Sequence, residues 1–504
     1  MQFHEKLHFL MEVTQTSNSA LARYVVLDAS YISRLRSGKR LPPKNEDLIG
    51  QMAAYFSRNC REPHRHRAIT DALNAKISPS DQAMMAEAIA AWLLAKQDGY
   101  KMIRQFLGHL EGGATESFPC VERQSLQGVE APTAAVSIYY GIDGKRKAAV
   151  LALNAVLALR QPATLLLFSD EETSWMTEDP AFAKQWAELM FQVIARGHRM
   201  KVIHTINRRF DEMLSAIGQW MPLYMTGGIE PFYYPKMRDG VFRRTLFIAP
   251  ETVALVSSSV GEGTIHAANE LHTDPKAIAA YEDEFQNYLK LCNPLMLIFT
   301  EKDRDAALHT LLEFEKEGGI SFIKTESLSL LTMPEELLAS IVARTSPSND
   351  LFQQYHAWRL ETFHNNIRTN AFTEIVKLPD PQDVLGGRVK IASSVMMAGG
   401  AHFYEASEYL AHLANVIQLL ERNENYNVCL VQGSVEERYT VYAKENKGVL
   451  VAKTSQPPVM LAMSESNMTA SFWDFLSTQC ERSASGKTGK PSTAQQLKDY
   501  IALF

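Results

Sequence analysis

The amino-acid sequence changes texture near residue 134, and that change restricts the architectures open to it. Up to residue 112, apolar side chains recur every three or four positions, the period of a helix with one buried face. Beyond 134, short apolar and partly β-branched runs alternate with helical stretches, as in α/β domains built on a parallel or mixed sheet. One core does not serve both patterns, and 504 residues exceed what a single core usually supports. The expectation is a multidomain chain: an all-α N-terminal domain over 1–66, a helical connector over 67–112, a linker over 113–134, and two α/β domains over 135–325 and 326–504.

Composition removes several classes. Apolar residues make up 46% and charged residues 21%, so the chain has enough material for packed cores and is not of the disordered type. Its five cysteines, Cys60, Cys120, Cys292, Cys429 and Cys480, are scattered and form no C-x-x-C pair, which fits a reduced cytoplasmic setting. The start, MQFHEKLHFLMEV, lacks the basic flank and apolar run of a secretory signal. No stretch approaches the roughly eighteen apolar residues of a membrane span, so neither export nor insertion is expected. Charge is uneven. Residues 1–67 carry eleven Lys/Arg against six Asp/Glu, about +5, in a chain of formal net charge −6. A basic head on an acidic body suits a small domain that meets nucleic acid.

The densest information lies in TSNSALARYVVLDASYISRLRSGKRLPP. A first helix over 2–13 places Phe3, Leu7, Leu10 and Met11 on one side. Thr16, Ser17 and Asn18 can cap a second helix running to about Val25, with Leu21 and Ala22 inward. After a turn at Val26 and Leu27, Asp28 is placed to cap a third helix that ends near Ser37, with Gly38 as its stop. On that helix Ile32 and Leu35 share the inner side, while Ala29, Ser30, Ser33 and Arg34 face out. Small polar groups and one guanidinium on an exposed helix suit reading base edges in a major groove. Lys39, Arg40 and Lys44 follow where a helix end would press on phosphates. A plain helical bundle without a DNA role fits the same apolar pattern.

This segment resembles the lambda-repressor-like (XRE-type) helix-turn-helix family through Leu21-Ala22, Leu27, Ile32-Ser33, Leu35 and the Gly38-Lys39-Arg40 run closed by Pro42-Pro43, over residues 3 to 57. The resemblance implies base contacts from Ser30, Ser33 and Arg34 and phosphate contacts from Ser17, Lys39 and Arg40, with Ala29 on the same face. Val26 stands where the family commonly has glycine, and Arg36 where an acidic residue is frequent.

Between head and body, RNCREPHRHR offers Cys60, His64 and His66, too few donors for a metal site, so no metal is expected. The helix over Ser80–Gln97 is apolar on most sides through Met84, Met85, Ala88, Ile89, Trp92 and Leu93, which a dimer interface would cover.

In the body, an internal repeat matches the helix 181–196, strand 200–204, pair 244–249 and 252–260 and helix 274–291 to the helix 404–421, strand 427–431, pair 448–453 and 458–466 and helix 472–480. Helix, strand and a hairpin ending in serines resemble the phospholipase-D-like fold, which the repeat implies in two copies. Active members carry H-x-K-x-x-x-x-D on the hairpin; the matching positions are Phe242, Arg244 and Ala249, then Lys447, Val449 and Thr454, without the histidine or the aspartate. The resemblance implies a scaffold whose chemistry has been lost. His204 and Asp211 have the motif's outer spacing, but Ile206 replaces its lysine. Gly141-Ile142-Asp143-Gly144-Lys145-Arg146-Lys147 opens a helix after a strand, and GKTGK at 486–490 lacks P-loop spacing; both read as ordinary basic loops.

The expectation is a cytoplasmic, dimeric, sequence-specific transcriptional regulator whose body senses a small-molecule or peptide effector or holds the dimer. It has double-stranded DNA as partner, no membrane association, no cofactor and no enzyme activity. The alternatives are a DNA-targeted phosphodiesterase or nuclease of phospholipase-D type and a defence-associated protein-interaction regulator.

Overall fold

A computed structural model of the chain describes residues 3–37, 40, 43, 46–60, 62–73, 75, 77–94, 99–112, 134–171, 174–204, 210–235, 241–261, 266–345, 350–395, 400–432, 438–483 and 489–504. Lys39, Lys44, Cys120, Ile206, nearly all of the 113–134 linker, most of GKTGK and the Asp211 side chain lie outside what is described. The chain is multidomain, with N-terminal helices followed by large mixed sheets, and divides into two compact units, Met1–Gly99 and Tyr100–Phe504.

The first unit contains α1 (Phe3–Val13), α2 (Asn18–Tyr24), α3 (Ala29–Arg36), α4 (Glu46–Asn59), α5 (Pro63–Leu73) and α6 (Gln82–Leu94). One core collects Leu7, Leu10, Leu21, Ile32, Leu35, Phe56, Ile69 and Ile89, so α5 and α6 share the interior of the first four helices. α6 buries Met85, Ile89 and Leu93 there and leaves Met84 exposed. The buried Lys6 ammonium donates to the Trp92 carbonyl at 2.6 Å and ties α1 to α6.

The second unit opens with α7 (Gly99–Gly112), whose Phe106 meets Phe472 edge to face at 5.7 Å. Its first sheet joins β1 (Val136–Tyr140), β2 (Thr164–Ser169), β3 (Arg199–His204), β4 (Ile229–Tyr233), β5 (Phe242–Ala249), β6 (Val253–Val260), β7 (Ala268–His272) and β8 (Asn293–Pro294) in the order β1-β7-β6-β5-β2-β3-β4-β8. The second joins β9 (Leu297–Thr300), β10 (Ser321–Lys324), β11 (Phe372–Val376), β12 (Tyr426–Leu430), β13 (Tyr439–Lys444), β14 (Gly448–Lys453) and β15 (Val459–Met463) in the order β9-β15-β14-β13-β10-β11-β12. Strands β1 to β7 recur as β9 to β15 with the same neighbours. The pairing senses also match: β2-β3-β4 and β10-β11-β12 are parallel, and every other shared pair is antiparallel. Only β8, which pairs with β4, lacks a counterpart among the described residues.

Helices follow the same duplication. α8 (Gly141–Leu157), α10 (Pro180–Ala195), α11 (Phe210–Tyr224) and α12 (Pro275–Leu289) take the places of α13 (Arg304–Lys316), α15 (Asp350–Ile367), α16 (Ala406–Arg422) and α17 (Ser466–Ser483). Two further helices, α9 (Ser174–Thr177) and α14 (Glu335–Thr345), precede α10 and α15. The chain is therefore duplicated, but hydropathy misaligns the copies by one step. Helix 404–421 corresponds to α11 and not to α10; strand 427–431 corresponds to β4 and not to β3. The hairpin matching β5-β6 is β13-β14 and not 448–466. Lys447, Val449 and Thr454, placed around β14, are thus not the counterparts of Phe242, Arg244 and Ala249 on β5.

β2 is buried on both faces. Leu166 and Phe168 pack with Ile278 and Phe285 of α12, whereas Leu165 and Leu167 join a core that also holds Val441, Val451 and Leu461 of the second sheet. Two residues past β2 and two past β10 stand Glu171, which is buried, and Glu326, which is half-buried, each paired with a lysine, Lys145 and Lys390. Glu171 accepts from Lys145, from Thr245 at 2.9 Å and from Ser259 at 3.0 Å, while Lys145 also donates to Thr245 at 2.8 Å. Burial pulls the Lys145 ammonium down to about 7, with the Asp170 charge opposing.

The second repeat buries two neutral imidazoles. Thr332 donates its hydroxyl to the Ser329 carbonyl, so His412 Nε2 donates to Thr332 Oγ1 at 3.1 Å and Nδ1 accepts from the Tyr404 hydroxyl at 2.9 Å. Burial holds His412 at about 3 and His356 at about 4. An unfolded chain, whose histidines titrate near 6.5, takes up protons first as pH falls. Stability from these groups is complete above about pH 6.5 and declines below it by roughly 1.4 kcal/mol per pH unit for each histidine. The urea midpoint of the full-length protein is expected to drop between pH 6.5 and 4.5, and less steeply in His412→Gln. Glu171→Gln, which strands a buried lysine, is expected to cost about 3 kcal/mol, and adding Lys145→Met to recover most of it, by chemical denaturation.

Candidate DNA-reading face

α2 begins where Ser17 stops the chain in an extended conformation and its hydroxyl accepts the Ala20 N–H at 3.1 Å. Leu21, Ala22 and Val25 bury its inner side. The turn into α3 is closed by the Leu27 N–H donating to the Ala22 carbonyl at 2.9 Å, which requires Val26 to take φ 54°. A β-branched side chain is strained in that left-handed region, and Val26 receives no packing in return, being 86% exposed. This is the position at which the resembled family commonly has glycine.

Asp28 occupies the N-cap of α3, but its side chain makes no capping bond. Its carboxylate stays on the surface at the positive end of the helix dipole. Ile32 and Leu35 are fully buried on the inner side of α3. One exposed face then presents Ser30, Ser33, Arg34 and Ser37, with Ala29 half-buried at its start. Arg34 lies along this face, its Nε donating to the Ser30 carbonyl at 3.3 Å and its terminal nitrogen to Ser30 Oγ at 3.5 Å. The Arg40 N–H donates to the Arg34 carbonyl at 3.1 Å, and its guanidinium stacks 4.1 Å from the centre of the Tyr31 ring. Arg40 is thereby brought beside the helix. Ser17 is exposed at the start of α2.

Arg36 turns the other way. Its Nε donates to His8 Nδ1 at 2.7 Å, it sits 3.7 Å from Glu12, and His8 closes the set 3.0 Å from the same carboxylate. Glu12 of α1 thus supplies an acid beside Arg36. Tyr31, His8 and Glu12, which fix these arginines, are absent from the sequence reading because their contacts depend on chain reversals that spacing does not reveal.

Elsewhere the singled-out residues separate. Cys60 is buried with its thiol donating to the Ser57 carbonyl at 3.2 Å, and His64 is 3.5 Å from Glu62. Among the described residues no three His, Cys, Asp or Glu gather as metal ligands, and no helix is long and apolar enough to cross a membrane. His204 meets the Tyr224 hydroxyl at 2.6 Å, Phe242 is exposed, Ala249 is buried and Arg244 is bound to Glu284 at 2.6 Å. Residues 141–147, expected as a loop, form the first turns of α8, where Lys145 points into the core and Arg146 donates to the Trp175 carbonyl at 2.7 Å.

No family model matches the chain, and no curated protein matches it. Among solved structures it is similar to a polyphosphate kinase from Porphyromonas gingivalis, with 12% identity and a TM-score of 0.22 over 73% of this chain and 56% of that one. It is also similar to TrmBL2, an archaeal chromatin protein with a novel mode of DNA binding, with 14% identity and a TM-score of 0.22 over 54% of this chain and 98% of that one. The chain thus spans little more than half the length of the kinase. Likeness at this level transfers neither fold nor activity.

Releasing the strain at Val26 is expected to stabilise the turn. Val26→Gly should gain about 1 kcal/mol and slow exchange of the Leu27 amide about fivefold in native-state hydrogen exchange on the full chain.

Proposed function

We propose that the chain is a sequence-specific DNA-binding transcriptional regulator whose reading element is α3, of the lambda-repressor-like helix-turn-helix type. One observation carries this reading: an eight-residue helix fully buries Ile32 and Leu35 on one side and leaves Ser30, Ser33 and Arg34 exposed on the other. Side chains this short let a helix backbone approach base edges, and a guanidinium can bond a guanine in two places. Ser17 and Arg40 flank the face as phosphate contacts. One such head covers little DNA, so the working species is a dimer on half-sites about one helical turn apart. The duplicated body acts as a sensing or dimer-holding scaffold of phospholipase-D-like descent, without catalysis, because its hairpin positions Phe242 and Ala249 cannot replace a histidine and an aspartate.

Selection of bound sequences by the full-length protein yields the half-site on which variants are compared. Arg34→Ala is expected to cost about 1–3 kcal/mol on that site and to relax preference at one base pair. Arg40→Ala is expected to weaken binding to all sequences alike and to flatten its salt dependence by about one unit of slope. Equal behaviour of the two variants rejects this assignment of the face, and metal-independent phosphodiesterase activity lost in His204→Ala rejects the silent body.

A further inference from the structure

The first α/β repeat holds a pocket open to solvent at the carboxyl ends of β2 and β3, with a cavity volume of about 120 Å³. There β2 has a parallel neighbour, β3, on one side and an antiparallel one, β5, on the other. Crevices beyond the carboxyl ends of parallel strands are where open α/β sheets accept ligands. Three helices each contribute an indole to the wall: Trp175 from α9, Trp186 from α10 and Trp220 from α11. Trp175 and Trp186 meet edge to face at 5.5 Å, and Phe247 supports Trp186 at 6.3 Å. Trp220 is half-buried and stands perpendicular to the His204 ring at 6.1 Å.

The charge in this wall is already committed. Glu171 accepts from Lys145, Thr245, Ser257 and Ser259, so the buried ion pair is closed on itself and its hydroxyl neighbours. A cationic guest would find this carboxylate neutralised, and an anionic guest would find the ammonium bound behind it. What the wall offers is indole surface, aliphatic Leu167, Val202 and Ile217, the Ser169 hydroxyl oxygen, which donates to Thr245 at 2.8 Å and retains lone pairs, and the His204 ring. The indoles are also not a demand of the fold. The cavity beside β10 in the second repeat is lined by Leu308, Leu311, Leu330 and Met460 without any tryptophan.

We propose that this pocket binds a small, neutral, planar heteroaromatic molecule, stacked on indole and turning its polar edge toward Ser169 and His204. The site stands apart from the DNA reading, and its test uses no DNA. Calorimetry on the full-length protein at pH 6.5 compares indole and adenine, both neutral, with indole-3-acetate and tryptamine, which place one negative or one positive charge beside the same ring. The expected result is saturable binding of at least one neutral probe at one site per chain, at least tenfold tighter than either charged probe. In Trp220→Leu, the affinity of that probe should fall at least fivefold, with an unchanged circular dichroism spectrum. Failure of both neutral probes to bind, equal binding of the charged ones, or undiminished affinity in Trp220→Leu overturns the proposal. If the variant does not fold, the charge series on the unmodified protein decides alone.

Discussion

The second unit depends on a core shared between its two copies. Leu165, Leu167, Phe247 and Leu255 of the first sheet belong to the same buried cluster as Val441, Val451, Leu461 and Phe472 of the second half. Apolar surface withdrawn from water by both sheets at once stabilises them jointly, at about 25 cal/mol for each Å². A substitution there is felt by both copies. The local cores, with Ile278 and Phe285 in the first copy and Leu413 and Tyr426 in the second, are each confined to one repeat.

Duplication has left the copies alike in frame and different in use. Both carry a glutamate just beyond the second strand with a lysine against it, Lys145 from α8 in one copy and Lys390 from the segment after β11 in the other, and taking either pair out of water costs desolvation. They diverge around that point: Glu171 shares a pocket wall with Trp175 and Trp186, whereas Glu326 accepts the Ser393 N–H at 3.3 Å and the Thr440 hydroxyl at 3.5 Å.

The head is legible in sequence because its determinants are local. Caps, turn and helix faces fall within one stretch of chain, and Ser17, Ile32 and Leu35 sit where spacing puts them. Strand β2 reads clearly because burial on both faces makes it an unbroken apolar run. The pairing of the copies does not read clearly. β11 interrupts its apolar run with Glu374, which is fully buried and accepts the Tyr426 hydroxyl at 2.6 Å and the Ser329 N–H at 2.8 Å. β13 spends positions on Tyr439, Tyr442 and Lys444, so hydropathy passes over both strands and slips to the next match. The pocket is invisible for another reason: its three indoles come from separate helices and converge only once the sheet has formed.

Arg34 on the outer side of α3 and Arg40 beyond its end are stored differently. Arg34 rests on Ser30 through two long bonds that water or a base edge can replace at little cost, whereas Arg40 is stacked on a tyrosine ring and keeps its place. A rigid cation draws a polyanion without regard to sequence; a loosely parked guanidinium can try successive partners once the surfaces touch. Were this face to meet DNA as proposed, capture would fall to the stacked guanidinium and scrutiny to the loosely held one.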